Sequence, residues 1–236
     1  MDISINGPKV LFTLPIFGGI KINETIVNSW IIIGFVLVLC LFLTHKLEKK
    51  PTKKRQLIAE KIVTTIDNLV SSTMGEKNIG FAPYILCIMT FSLLGSLISL
   101  LGLRSVTADI NVTLGWAMMT FFLVHGNGIK KKGIGYFKGF AQPVPVMLPL
   151  NIISEVATPI SLSFRHFGNI VAGFIITTLM YGGLAAASSA IGLAIPVLQV
   201  GVPAILSVYF DLFSGFMQAF IFSMLTMVFI SNAMED

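Results

Sequence analysis

The sequence predicts an all-α polytopic membrane protein. About five spanning helices are expected, with one amphipathic helix in the membrane interface and a long tilted hairpin formed by the last two spans. Three observations carry this. The 236 residues are 55% hydrophobic and 11% charged, with a mean hydropathy of +0.87, whereas soluble domains carry about 25% charged residues. Several runs match the roughly 20 apolar residues that a helix needs to cross the hydrocarbon layer. The basic residues gather between those runs. Lys46, Lys49, Lys50, Lys53, Lys54, Arg55 and Lys61 form one cluster, and Lys130, Lys131, Lys132 and Lys138 another, as cytoplasmic loops do under the positive-inside rule.

The elements follow in order within a single membrane domain, 1–236. Residues 1–25 form an external segment; its prolines Pro8 and Pro15 and several glycines do not have the form of a cleavable signal. Residues 26–44 make the first span. In 56–73, Ile58, Ile62, Ile66 and Leu69 recur at helical spacing with Glu60, Lys61, Asp67 and Asn68 on other faces, which suits an interfacial helix. A solvated helix packed on a partner is the alternative. Residues 78–103 and 110–129 make two more spans. After a Pro-rich bend, 150–181 and 191–231 are too long for upright spans and are expected as a tilted or bent hairpin, with Pro159, Pro196 and Pro203 as candidate kinks. The basic loops put the amino terminus outside and the carboxyl terminus in the cytoplasm.

Composition also narrows function. The net charge of +5 lies in loops, so no nucleic-acid partner is expected. Cys40 and Cys87 sit inside apolar runs, which disfavours a disulfide or metal site. No cofactor is expected. The chain lacks the G-x-x-x-x-G-K-[ST], H-E-x-x-H and G-x-S-x-G patterns, so it is not expected to be catalytic alone.

Between Lys138 and Glu235 the only formally charged side chains are Glu155, Arg165 and Asp211. An arginine at mid-bilayer costs roughly 3 kcal/mol on insertion scales and about 10–17 in simulations of isolated helices. Such a residue needs a water-filled path or an opposite charge. At 100° per residue, Ser154, Thr158, Ser161, Arg165, Asn169 and Ala172 fall on one stripe. A matching stripe on the last segment carries Ser207, Asp211, Ser214 and Gln218. Small residues can simply let helices approach, but that leaves the arginine unexplained. Pairing Arg165 with Gln218 in an antiparallel hairpin puts Asp211 near Phe174, on the order of 10 Å outward of the arginine, and Glu155 about 15 Å inward. An acid outside, a fixed cation and an acid inside make two half-paths separated by a gate, because arginine does not deprotonate. A structural salt bridge from Arg165 to Glu155 or Asp211 is the competing reading.

Pro159-Ile-Ser-Leu-Ser-Phe-Arg165-His-Phe-Gly-Asn169-Ile-Val-Ala-Gly173 resembles the arginine motif P-[IV]-S-L-x-L-R-L-F-G-N-x-x-A-G of subunit a of F-type ATP synthases. Val10-Leu-Phe-Thr, Asn28-Ser-Trp30 and Gln218-Ala-Phe-Ile-Phe-Ser-Met-Leu-Thr226 look like bacterial members of that family. The resemblance implies the ion-translocating stator subunit of a rotary ATP synthase in a bacterial cell membrane. Its implied partners are the c-subunit ring, the peripheral-stalk b subunits, the rest of the complex and the lipid bilayer. Arg165 would be the stator arginine, Asn169 and Gln218 its polar neighbours, Glu155 an inner residue, and Ser161 and Ser214 lining residues. The family's common Glu/His pair falls here on Phe174 and Asp211, so the pair is broken and Asp211 is the remaining acid. His166 replaces a usual leucine and, 100° from Arg165, is expected to be packed and hydrogen-bonded; His125 and Asp109 look like span-end residues. The coupling ion, H⁺ or Na⁺, is left open. The alternative function is a self-contained transporter or channel with Arg165 binding an anionic substrate.

Overall fold

The computed structural model describes residues 7–15, 19–49, 53–133, 135–141, 144–192, 199 and 208–235. The expected kinks at Pro196 and Pro203, and the stripe residue Ser207, lie outside them.

A short antiparallel ribbon of β1 (Val10–Leu14) and β2 (Ile20–Asn23) precedes the helices. Asn23 then caps α1 (Glu24–Thr44), its side-chain oxygen accepting from the Ile26 amide at 3.0 Å, which satisfies one of the donors a helix start leaves open. The ribbon is an element that the sequence reading does not contain.

Among the described residues six further α-helices follow: α2 (Lys54–Met74), α3 (Ala82–Leu97), α4 (Ile110–Lys132), α5 (Gly135–Gly139), α6 (Leu148–Ala190) and α7 (Gly215–Met234). Among the described residues, four stretches are long and apolar enough to span a membrane: Glu24–Thr44, Glu76–Leu101, Pro145–Ala190 and Asp211–Met234. Helix α4 is of spanning length, but its last turn holds Lys130, Lys131 and Lys132, cations suited to the negative end of a helix dipole. Asp109 caps its other end through the Asn111 amide at 3.0 Å. Helix α6 continues through Pro159 as one 43-residue helix.

The core forms where α7 packs on α3 and α4, and α6 packs mainly on α4. One cluster joins Ile66, Val70 and Met74 of α2 to Ala82 and Ile85 of α3 and to Met227 and Ile230 of α7. The amino-terminal half of α2 leaves Leu57, Ile58, Ile62 and Val63 exposed. A second cluster joins Ile88, Ala117, Leu162 and Phe222. Hydroxyl pairs cross between helices: Thr113 with Ser163 at 3.0 Å, Thr120 with Thr226 at 3.3 Å, and Tyr84 with Thr120 at 3.5 Å. In lipid, where apolar side chains gain little by leaving one apolar phase for another, such bonds and close backbone approach hold helices together, at about 0.6 kcal/mol per bond on average.

The last segment departs from a simple α-helix. Val208–Ser214 is π-helical and becomes α-helical at Gly215. A Cβ on Gly215 would lie 3.0 Å from the Cβ of Ser96, so glycine permits the close crossing of α7 over α3. The wider π turn carries Asp211 and Ser214, so a 100° projection does not hold from Asp211 to Gln218. That stripe is corrected accordingly.

Candidate functional site

Helix α6 divides into two faces. Pro159, Leu162, Ser163, His166 and Gly173 are buried, facing the bundle. Ser154, Ser161, Arg165, Asn169 and Ala172 are exposed, and Thr158 is half-buried beside them. The stripe of small and polar residues with its cation thus lies on the open side of the helix, among exposed apolar side chains such as Ile153, Val156, Ile160 and Phe164. Arg165 has no hydrogen bond or ion pair among the described residues. The competing salt bridge to Glu155 or Asp211 is absent there.

Toward the end of the molecule that carries the basic loop, a cleft opens between α4, α5, α6 and α7. A cavity of about 500 Å³ is lined by His125, Tyr136, Asn151, Glu155 and Asn232 among others. A neighbouring cavity of about 210 Å³ reaches Ser161 and Arg165. Ser154, Thr158, Leu162 and Phe229 line both. The two cavities therefore adjoin, one lined by Glu155 and the other by Arg165.

His125 and Tyr136 are the residues that the sequence reading missed. The His125 Nδ1 lies 2.7 Å from the Tyr136 hydroxyl, and its Nε2 lies 3.8 Å from a carboxylate oxygen of Glu155. The second distance suits an ion pair but not a direct hydrogen bond. Burial pushes the Tyr136 hydroxyl above its ordinary pKa, and the Glu155 charge raises it further, because a phenolate there would face a carboxylate. The phenol stays protonated and can donate to His125. Gly128 makes room for this ring; a Cβ there would come within 2.4 Å of Tyr136. His125 sits on α4 and its partners on two other helices, so spacing along the chain gave no sign of the cluster.

On the opposite side of the arginine the residues are hydroxyls. Asp211 is half-buried in the π turn, with a side-chain hydrogen bond to Ser99. Gln218 is buried on α7, and Ser214 half-buried. Of the predicted set, Ser161 and Arg165 share a cavity, which adjoins that of Glu155. Asn169 lies on the same open face, while Asp211 and Ser214 belong to the π turn, which packs on α3 and α6.

Residues 26–231 match the family described as ATP synthase A chain. The chain belongs to that family. It is 31% identical to the sodium ion specific ATP synthase subunit a of Propionigenium modestum, over 98% of this chain and 86% of that one. It is 36% identical to ATP synthase subunit a of Bacillus pumilus over 85% and 87% of the two chains, and 31% identical to that of Geobacter sulfurreducens over 90% and 88%. As a member of the ATP synthase A chain family it is a membrane subunit of an F-type ATP synthase. The open face of α6 is then the face of one subunit within a larger complex.

Proposed function

We propose that this chain is the ion-translocating stator subunit of its ATP synthase, with two offset half-channels separated by Arg165 and a ring of c subunits turning against the exposed face of α6. The observation that carries this reading is the arginine itself: without a partner among the described residues, on the exposed side of α6, in a cavity that adjoins the one lined by Glu155.

An ion enters from outside near Asp211 and neutralises a carboxylate on the ring. The neutral site can then turn into lipid, where a bare charge would be costly. Near the end of the rotation the site meets the passage lined by Ser161, Thr158 and Glu155 and releases its ion to the cytoplasm. Arg165 favours the ionised carboxylate as a nearby opposite charge does, and its fixed charge blocks leakage between the two paths. Asn169 and Gln218 flank it as neutral polar neighbours, and Ser214 lines the outer side. The amino terminus faces outward and the carboxyl terminus the cytoplasm. The peripheral-stalk b subunits hold the chain still. The membrane potential contributes about 2.3 kcal/mol per charge per 100 mV, so several ions pass for each ATP made in partner subunits.

The test is Arg165→Ala in the assembled complex. ATP synthesis and ATP-driven ion pumping are both lost while the ring and stalk still copurify; coupled pumping at the normal rate would refute the assignment. The alternative, a self-contained transporter or channel, predicts specific uptake by the purified chain alone in liposomes. The stator reading predicts none without the ring.

A further inference from the structure

We propose that His125 is a positioning residue for Glu155: fixed in one tautomer by the Tyr136 hydroxyl, it makes the inner acid one half of a carboxylate–imidazole pair. The inference rests on the stator reading and adds to it a residue and the inner-pH dependence that this residue imposes.

The first observation is the geometry. His125, Tyr136 and Glu155 come from three helices and line one cavity of about 500 Å³. The Glu155 side chain is 42% exposed and that of His125 17%, so the acid reaches the cavity and the imidazole stands behind it. Nδ1 of His125 lies 2.7 Å from the Tyr136 hydroxyl. Its Nε2 is buried and has no hydrogen-bond partner among the described residues, yet it lies 3.8 Å from a Glu155 carboxylate oxygen. Buried polar atoms are nearly always satisfied. A buried nitrogen facing a carboxylate just beyond bonding distance points to that carboxylate as its partner.

The second observation is how much of the local chain serves to seat the phenol on the imidazole. Gly133 turns the chain out of α4 with φ +57°, a conformation that favours glycine. Its carbonyl accepts from the Tyr136 amide at 3.2 Å, which starts α5 back toward α4. Gly128 leaves the gap that the Tyr136 ring fills. Phe121 and Phe140 close on the imidazole, at 4.0 and 6.4 Å between ring centres. Rings alone would dock α5 on α4; they do not account for a nitrogen aimed at an acid on a third helix.

The tautomer follows from charge. Burial, and then the Glu155 charge, keep the Tyr136 phenol protonated, so it can donate to Nδ1 and leave the ring proton on Nε2. The opposite tautomer would turn a lone pair toward the carboxylate. On protonation both ring nitrogens donate, and the phenol oxygen accepts from Nδ1 instead. Tyr136 thus holds the ring in either state, while Glu155 faces a weak neutral donor in one and a counter-ion in the other. Imidazole changes charge between about pH 5 and 8, so the engagement of the pair follows inner pH. The other titratable group lining this cavity is Lys132 of α4; α7 contributes Phe229, Asn232 and Ala233, none of which titrates.

The experiment uses the whole complex in sealed vesicles, with pH set separately on each side. His125→Gln keeps a neutral donor but cannot change charge. ATP-driven pumping falls a few-fold and its dependence on inner pH flattens, while its dependence on outer pH is kept. Tyr136→Phe keeps the ring and frees the tautomer; the inner-pH profile shifts with a smaller loss, and this variant decides the matter if His125→Gln does not assemble. Residues that act as a pair do not add, so His125→Gln placed on Glu155→Gln costs nothing further. Additive losses, or an equal slowing at every inner pH, would leave His125 with a packing role alone and overturn the inference. If Arg165→Ala abolishes coupling while Glu155→Gln and His125→Gln are both neutral, the stator role stands and the pair falls. If Arg165→Ala still couples, the stator reading fails and takes the pair's role with it.

Discussion

On the proposed orientation, the inner and outer sides of Arg165 are built differently. The inner side holds two adjoining cavities of about 500 and 210 Å³, the larger lined by an acid, an imidazole and a phenol among others. The outer side is tighter: Asp211 in the π turn is bonded to Ser99, and the nearby serine and threonine hydroxyls bond backbone carbonyls or one another at 2.8–3.0 Å. A wide aqueous passage needs few specific groups, because water does the carrying. A closed seam depends on each link. The contrast predicts that single substitutions hurt more on the outer side than on the inner.

The largest effect expected from this comparison is at the acids. Asp211→Asn slows synthesis by about a hundredfold, the low end of what a positioned proton-transfer group supplies, and Glu155→Gln slows it by less. ATP-driven pumping, in which ions reach the ring from inside, reverses the order. Initial rates in both directions on the same vesicles check this, and equal negligible losses would remove Asp211 from the path.

Packing comes next. Gly215→Val forces a branched side chain into the 3.0 Å crossing over Ser96 and costs about 1–3 kcal/mol, as overpacking does. The thermal midpoint of the isolated complex falls and synthesis falls with it. Gly128→Ala meets only the edge of the Tyr136 ring. The ring can swing aside, so stability changes little and pumping falls only a few-fold.

The smallest effect is a titration. Both burial and Glu155 raise the Tyr136 pKa; Glu155→Gln removes the charge and leaves the burial. The pKa then moves down toward its ordinary value but stays above it. Ultraviolet difference titration against Tyr136→Phe measures the shift, and no movement would separate the phenol from the acid.

The helices were largely legible in the sequence because lipid imposes a length and an apolar composition on anything that crosses it. The open stripe of α6 was legible for the same reason: Ser154, Ser161, Arg165 and Asn169 lie on one regular helix with a constant turn per residue. The β1–β2 ribbon was not, being short, without strong alternation and set among prolines and glycines. The π turn was not, because an inserted residue leaves no mark in a sequence without relatives aligned to it. His125 escaped because its chemistry arises from Tyr136 and Glu155 on other helices. His166 was read as a packed, hydrogen-bonded side chain, and its burial and its bond to Ser92 agree.

The central claim is that one fixed positive charge keeps two water-accessible paths from joining. The direct measurement is passive ion flux through the complex with the ring crosslinked to the stator so that it cannot turn. With Arg165 present the flux is expected to be at background, and with Arg165→Ala a steady leak is expected that does not depend on ATP. Equal flux in the two complexes would contradict a barrier at Arg165.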